Sequence, residues 1–234
     1  MNNTIKPYEK IKENFKIFYL ENGLNTFLNL KDFFEKQKEN FYKEKVAEYI
    51  RNGLSQNDAT IKTRQGWVSV IGRSLEIVVE VLIENFCEEY NLKITNDKIL
   101  RKTNLKGELD EVKRKILVDF GSNLVLPDGD IIIYKTIPEI KILAILSVKN
   151  SFRERYTETP YWKLKLSNQN ITKHIKIFMI TPDNDDEISF IGNKKSRIVM
   201  EYELDGIYLA KNKFDGSKKI KSILCLIDDL RAIL

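Results

Sequence analysis

The sequence holds one histidine, two cysteines and no apolar run that approaches the roughly 18 residues a membrane span needs. Each scarcity excludes a chemistry. Zinc nucleases, histidine-clustered phosphodiesterases and Ser-His-Asp hydrolases all require an imidazole as base or ligand, with further ligands close by. His174 stands alone in KHIKIFMI, an apolar strand-like run, and reads as a strand-end residue. Cys87 and Cys225 lie far apart in apolar helical patterns, neither with a second cysteine at metal-ligand spacing, and read as reduced core residues. With a polar N-terminus as well, a soluble cytoplasmic protein is expected. Hydrolysis in such a chain must rest on carboxylates, a lysine and a divalent metal.

An excess of one charge is also missing. Against 39 Lys and Arg stand 34 Asp and Glu, a net +5, which allows a polyanionic partner without requiring one. What is present is enough apolar material, 42% of 234 residues, for one substantial core with a small addition.

From Pro7 to about Gly53, aromatic and apolar residues such as Phe15, Phe18, Phe33, Phe34 and Phe41 recur at helical spacing among Lys and Glu. Leu54 to Gln65 is polar and reads as a connection. In the next segment Trp67, Val70, Ile71, Leu75, Val78, Leu82, Ile83 and Phe86 predict one long core helix. From Val118 onward three apolar runs read as buried strands: Ile131 to Tyr134, KILAILSVK and IKIFMIT. A helix is expected between the last two, around Tyr161 to Asn168. Ile198 to Leu209 adds strand-like residues, and IKSILCLIDDLRAIL reads as a closing helix. The expectation is an α/β fold with an N-terminal helical section over residues 1–65, packed on a catalytic α/β domain over residues 66–234.

The chemistry concentrates in LPDGDIIIY and AILSVKNSFRER. On a strand, alternate side chains share a face, so Ser147 and Lys149 project together while Val148 turns into the core. If the two strands form a hairpin-like pair, Asp130 at the start of one lies near Lys149 at the end of the other. Phosphodiester hydrolysis needs a carboxylate to hold Mg²⁺, a polarising metal, and a cation beside the nucleophile. Asp130 and Lys149 fit those roles, and the Val148 carbonyl is a further candidate ligand.

Pro127-Asp128, Asp130 and Ser147-Val148-Lys149 resemble the PD-(D/E)xK nuclease motif. SVKNSFRER is similar to a signature of a subset of type II restriction endonucleases, in which a strand ending in SxK leads into an Arg-Glu-Arg segment. The helix with Gly72, Leu75 and Glu76 resembles the one that carries an additional active-site glutamate in these enzymes. The resemblance covers roughly residues 64 to 182.

It implies a restriction-endonuclease-like core, a mixed central sheet flanked by helices. It also implies Mg²⁺-dependent cleavage of double-stranded DNA at a short sequence, leaving 5′-phosphate and 3′-hydroxyl ends, by a homodimer that matches a palindromic site. Ser147 replaces the second motif carboxylate; in some relatives with this serine the following helix supplies a glutamate, for which Glu158 and Glu154 are candidates. Both Asp128 and Asp130 precede the strand, and Asp130 is preferred because it abuts Ile131 directly.

Glu76, Glu80 and Glu84 also suit a plain solvated helix face. Arg153 and Arg155 are candidates for phosphate or guanine-edge contacts, or for pairing with the nearby glutamates. Lys194, Lys195 and Arg197, and Lys218, Lys219 and Lys221, form basic clusters on expected loops, suited to backbone phosphates. The alternatives are a repair or junction-resolving nuclease with the same core, and an inactive DNA-binding protein.

Overall fold

Residues 6–152 and 155–234 are described by a computed structural model; Arg153 and Glu154 lie outside the described residues. Three helices open the chain, α1 (Pro7–Asn22), α2 (Leu30–Arg51) and α3 (Gln56–Glu89). There follow β1 (Lys93–Thr95), α4 (Asp97–Leu100), α5 (Glu108–Arg114) and the small antiparallel pair β2 (Val118–Asp119) and β3 (Leu124–Val125). The rest comprises β4 (Ile131–Lys135), β5 (Lys141–Val148), α6 (Glu158–Ser167), β6 (Lys176–Thr181), α7 (Lys195–Glu203), β7 (Gly206–Leu209), β8 (Ile220–Ser222) and α8 (Leu226–Arg231).

The central sheet is mixed, in the order β1-β4-β5-β6-β7-β8. Strands β1, β4 and β5 pair antiparallel, and β5 to β8 run parallel. Alternation along the strands sorts their side chains between two cores. Ile131, Ile133, Leu146, Val148, Phe178, Ile180 and Tyr208 pack with α1, α2, α3 and α8. Ile132, Ile145, Ile177, Met179, Ile207 and Leu209 pack with residues of α4 to α7. A sheet covered on both faces needs apolar residues at nearly every position, which is why β4, β5 and β6 read as continuous apolar runs.

Helix α3 begins eleven residues before Trp67, inside the polar stretch read as a connection. Ser55 is its N-cap: the Ser55 hydroxyl oxygen accepts from the Asp58 N–H at 3.2 Å. Ala59 and Thr63 are buried and continue the stripe upstream of Trp67 at intervals of four. The division at residue 65 therefore falls within a single 34-residue helix.

Two further expectations are corrected. Residues from Ile198 to Glu203 belong to α7, not to a strand, because burial there recurs at Ser196, Met200 and Leu204, every fourth residue. Ile220–Ser222 is the edge strand β8, since pairing with β7 outweighs its helical spacing, and α8 starts only at Leu226. Both cysteines are free; burial pushes the Cys87 thiol up to about 11, so it stays protonated. Among the described residues no helix is long and apolar enough to cross a membrane.

Candidate active site

Strands β4 and β5 are joined through residues 136–140, and their register sets Ile131 opposite Leu146. Asp130, just before β4, thereby meets the end of β5. Its Oδ2 accepts from the Val148 N–H at 2.8 Å and lies 3.5 Å from Lys149 Nζ. The backbone N–H of Lys149 donates to the Ile180 carbonyl at 3.0 Å, which fixes the chain direction where β5 leaves the sheet. Gly129 is pressed against the sheet: a Cβ there would stand 2.9 Å from Ile145 Cγ2 and 3.1 Å from Ile132 Cγ1. Only glycine lets the turn approach β4 and β5 closely enough to set Asp130 at this depth.

Burial raises the Asp130 carboxyl above the ordinary aspartate value. The nearby Glu76 charge adds to that rise, while Lys149 and the Val148 N–H oppose it. Helix α3 brings Glu76 to this place, and the glutamate is only 6% exposed, so the solvated-face reading does not hold for it. Arg73 Nη1 lies 2.6 Å from Glu76 Oε2, and Lys98 Nζ from α4 lies 3.1 Å from its Oε1. Glu80 takes a second bond from Arg73 at 3.2 Å, and Glu84 is exposed. Glu158, the first residue of α6, places Oε2 4.0 Å from Lys149 Nζ.

Asp128 faces elsewhere. Its carboxylate accepts from Arg101 Nη2 at 2.5 Å and from Trp162 Nε1 at 3.1 Å. Of the two aspartates, Asp130 is the one beside Lys149. Ser147 is also turned away from solvent, with its hydroxyl 2.9 Å from that of Thr159 in α6.

Val148 and Lys149 border a cleft of about 460 Å³ walled by Phe34, Lys38, Trp67 and Gly72 on one side and Asn150 and Arg155 on the other. Exposed Arg155 thus lies on the same cleft as Lys149, while Arg153 and Glu154 lie outside the described residues. The cluster at 194–197 stands otherwise. Lys194 pairs with Glu187 at 3.0 Å, and Lys195 is exposed at the start of α7. Arg197 is buried, donating to the Ile188 and Asp215 carbonyls. Arg197 is therefore neither on a loop nor displayed to a phosphate, because a guanidinium fork offers enough donors to close a buried turn. In the third cluster, Lys221 is held by Asp229 at 2.7 Å and Lys219 by the Tyr202 carbonyl at 2.7 Å.

Among the described residues no three of His, Cys, Asp and Glu converge as metal ligands. The acids that do approach are Asp130, raised by burial and by the negative charge of Glu76, and Glu158 across Lys149. Hard oxygen donors, fewer than a closed cage needs, suit a cation that keeps several of its waters. Sequence reasoning missed Lys98, Arg73, Thr159 and Trp162. Thr159 adjoins a named candidate, whereas Lys98 comes from a separate short helix and carried no signal.

Comparison with known proteins gives this arrangement a lineage. The family described as BsaWI restriction endonuclease type 2 matches residues 108–229, from α5 into α8. A probable type II restriction enzyme of Helicobacter pylori (strain ATCC 700392 / 26695) is 55% identical over 181 residues, which cover 77% of this chain and 92% of that protein. A counterpart of similar provisional standing from Methanocaldococcus jannaschii is 47% identical over 201 residues, covering 84% of this chain and 89% of the other. Among solved structures, PspGI restriction endonuclease in complex with substrate DNA shares the fold at a TM-score of 0.61 and 17% identity, over 98% of this chain and 93% of that one. With the site-bearing segment matched by the family and long relatives aligned well beyond it, the chain belongs to the BsaWI family of type 2 restriction endonucleases.

Proposed function

We propose that this type II restriction endonuclease cleaves double-stranded DNA with Mg²⁺ at the Asp130–Lys149 corner, leaving 5′-phosphate and 3′-hydroxyl ends. The observation that carries the assignment is Asp130 Oδ2 at 3.5 Å from Lys149 Nζ, where β4 begins and β5 ends, with Lys149 on the cleft. Asp130 and either Glu76 or Glu158 are the acids that would hold the metal, with the Val148 carbonyl as a further donor. When bound there, the cation polarises the scissile phosphate and acidifies water.

The protein's own groups supply the rest. Lys149, 29% exposed at its side chain, orients the attacking water and offsets charge growing on the phosphate. Arg73 and Lys98 pair with the Glu76 carboxylate and fix its place at the edge of the site. Arg155, on the cleft, is assigned to DNA contacts, and so are Arg153 and Lys195. The enzyme acts as a cytoplasmic homodimer, since a palindromic site is cut symmetrically by two copies related by a two-fold axis.

Digestion of a mapped plasmid with purified protein and Mg²⁺ tests the proposal. Discrete fragments, lost on chelation and in both Asp130→Ala and Lys149→Ala, are expected. Cutting that survives both substitutions refutes the site, and a sedimenting monomer on cognate DNA refutes the dimer.

A further inference from the structure

Two side chains within the motif segments are spent on helix α6 and not on the cleft. Ser147, two residues before Lys149, is 5% exposed and hydrogen-bonds Thr159, itself 6% exposed, at 2.9 Å. Asp128, two residues before Asp130, accepts from Trp162 Nε1 at 3.1 Å. Both partners stand in the first half of α6, and Glu158 is the first residue of that helix.

Besides these bonds, Pro160 is buried in the first turn and Lys163 pairs with Asp205 at 2.5 Å, but no side chain caps the helix. Thr157 makes no side-chain cap, and Glu158 follows directly on the segment that leaves β5. Without a cap, the first turn of a helix frays. Here one buried hydroxyl pair from β5 and one indole–carboxylate bond from the turn before β4, whose Asp128 also takes Arg101, hold the first half of α6 against the sheet.

We infer that Ser147 and Asp128 are positioning residues that clamp the N-terminal turn of α6, through Thr159 and Trp162, so that Glu158 is held beside Lys149 as an acid of the site. The inference rests on the reading of Glu158 given above. It assigns the serine at the second motif position a role of its own: it no longer binds anything in the cleft but fixes the element that brings the replacement acid. A carboxylate at Ser147 would be buried against Thr159 and could not serve both purposes.

The test uses the full chain and a plasmid carrying one site, with initial cleavage rates followed against Mg²⁺ concentration. Thr159→Val and Ser147→Ala remove the hydroxyl pair from either side, and Trp162→Phe removes the indole donor. Each is expected to raise the Mg²⁺ needed for half-maximal cleavage by about 10-fold, the usual range for an outer partner of a ligand, with KM for plasmid unchanged. Thr159→Ser, which keeps the hydroxyl, should restore the wild-type Mg²⁺ requirement. In a Glu158→Gln background the same substitutions should add nothing. Hydrogen exchange gives a readout free of catalysis: amides of the first turn of α6 should lose protection in Thr159→Val and Trp162→Phe while those of β5 keep theirs.

An unchanged Mg²⁺ requirement in both Thr159→Val and Trp162→Phe, beside a damaged Glu158→Gln, overturns the clamp alone. Losses that multiply fully with that of Glu158→Gln also overturn it. Wild-type cleavage by Glu158→Gln overturns the reading of Glu158 and the clamp with it.

Discussion

Strands β5 and β6 run parallel side by side, and each ends near an aspartate and a lysine, yet the two pairs are built differently. Beyond β6, Asp183 is fully buried and its carboxylate accepts from the N–H groups of Glu187, Ile188 and Ser189 and from the Ser189 hydroxyl, at 2.5 to 3.0 Å. Lys211 docks on the Asp183 carbonyl, Asp186 and Ser189 at 2.6 to 3.0 Å. At β5, Asp130 takes one backbone bond, keeps a loose 3.5 Å contact with Lys149, and has its carboxyl pushed up by burial. An acid and a lysine at a strand end are common to both. Satisfied bonding capacity marks the pair that shapes a loop, and unspent capacity beside a cleft marks the one available to a substrate.

The largest expected break in that comparison is catalytic. Lys149→Ala should lower the plasmid cleavage rate by about 10²-fold to 10⁴-fold with little change in melting temperature, whereas Lys211→Ala should leave the rate within a few-fold. Next comes stability at the other strand end. Asp183→Ala leaves three N–H groups, two of them buried, without their acceptor and should cost about 3 kcal/mol or more, seen as a lower urea midpoint with cleavage retained in the cold. Gly129→Ala drives a methyl into Ile145 and Ile132; it should cost about 1–3 kcal/mol and, by displacing Asp130, depress cleavage as well.

The smallest effect sharpens the contrast through pH. Because the folded state raises the Asp130 carboxyl, the stability associated with its protonated form is fully present at low pH and is lost as pH rises through the raised value. Asp130→Asn should therefore melt above the wild-type protein at neutral pH in chelator, and the advantage should vanish in acid. An Asn variant that is less stable at neutral pH would mean that the charge is already compensated within the protein.

Much of this was legible in the residues. The apolar spacing from Trp67 to Phe86 and the three apolar runs announced α3, β4, β5 and β6, because long elements buried on both sides impose their period directly. The Asp130–Lys149 meeting was legible too, since a short connection between two strands leaves an antiparallel pair as the simplest return, and alternation fixes which side chains share an edge. The polar start of α3 was not, as its outer face looks like a loop until Ser55 is seen capping it. Neither was the fate of Arg197, whose charge looks identical in sequence whether it meets a phosphate or two buried carbonyls. The partners of Glu76 come from its own helix and from α4, and only the folded chain brings Lys98 to it.

Helix α3 is one continuous rod of 34 residues, about 51 Å end to end. Its upstream half is gripped by the aromatic layer of α1 and α2, with Phe41 against Trp67 at 5.4 Å, and its downstream half carries Glu76. A stiff helix transmits displacement along its length, so a tilt of the N-terminal layer shifts a carboxylate about two and a half turns beyond Trp67. Cutting the chain at residue 65 would remove the first ten residues of that rod and the helices that grip it, leaving the sheet alone to hold the carboxylate in place.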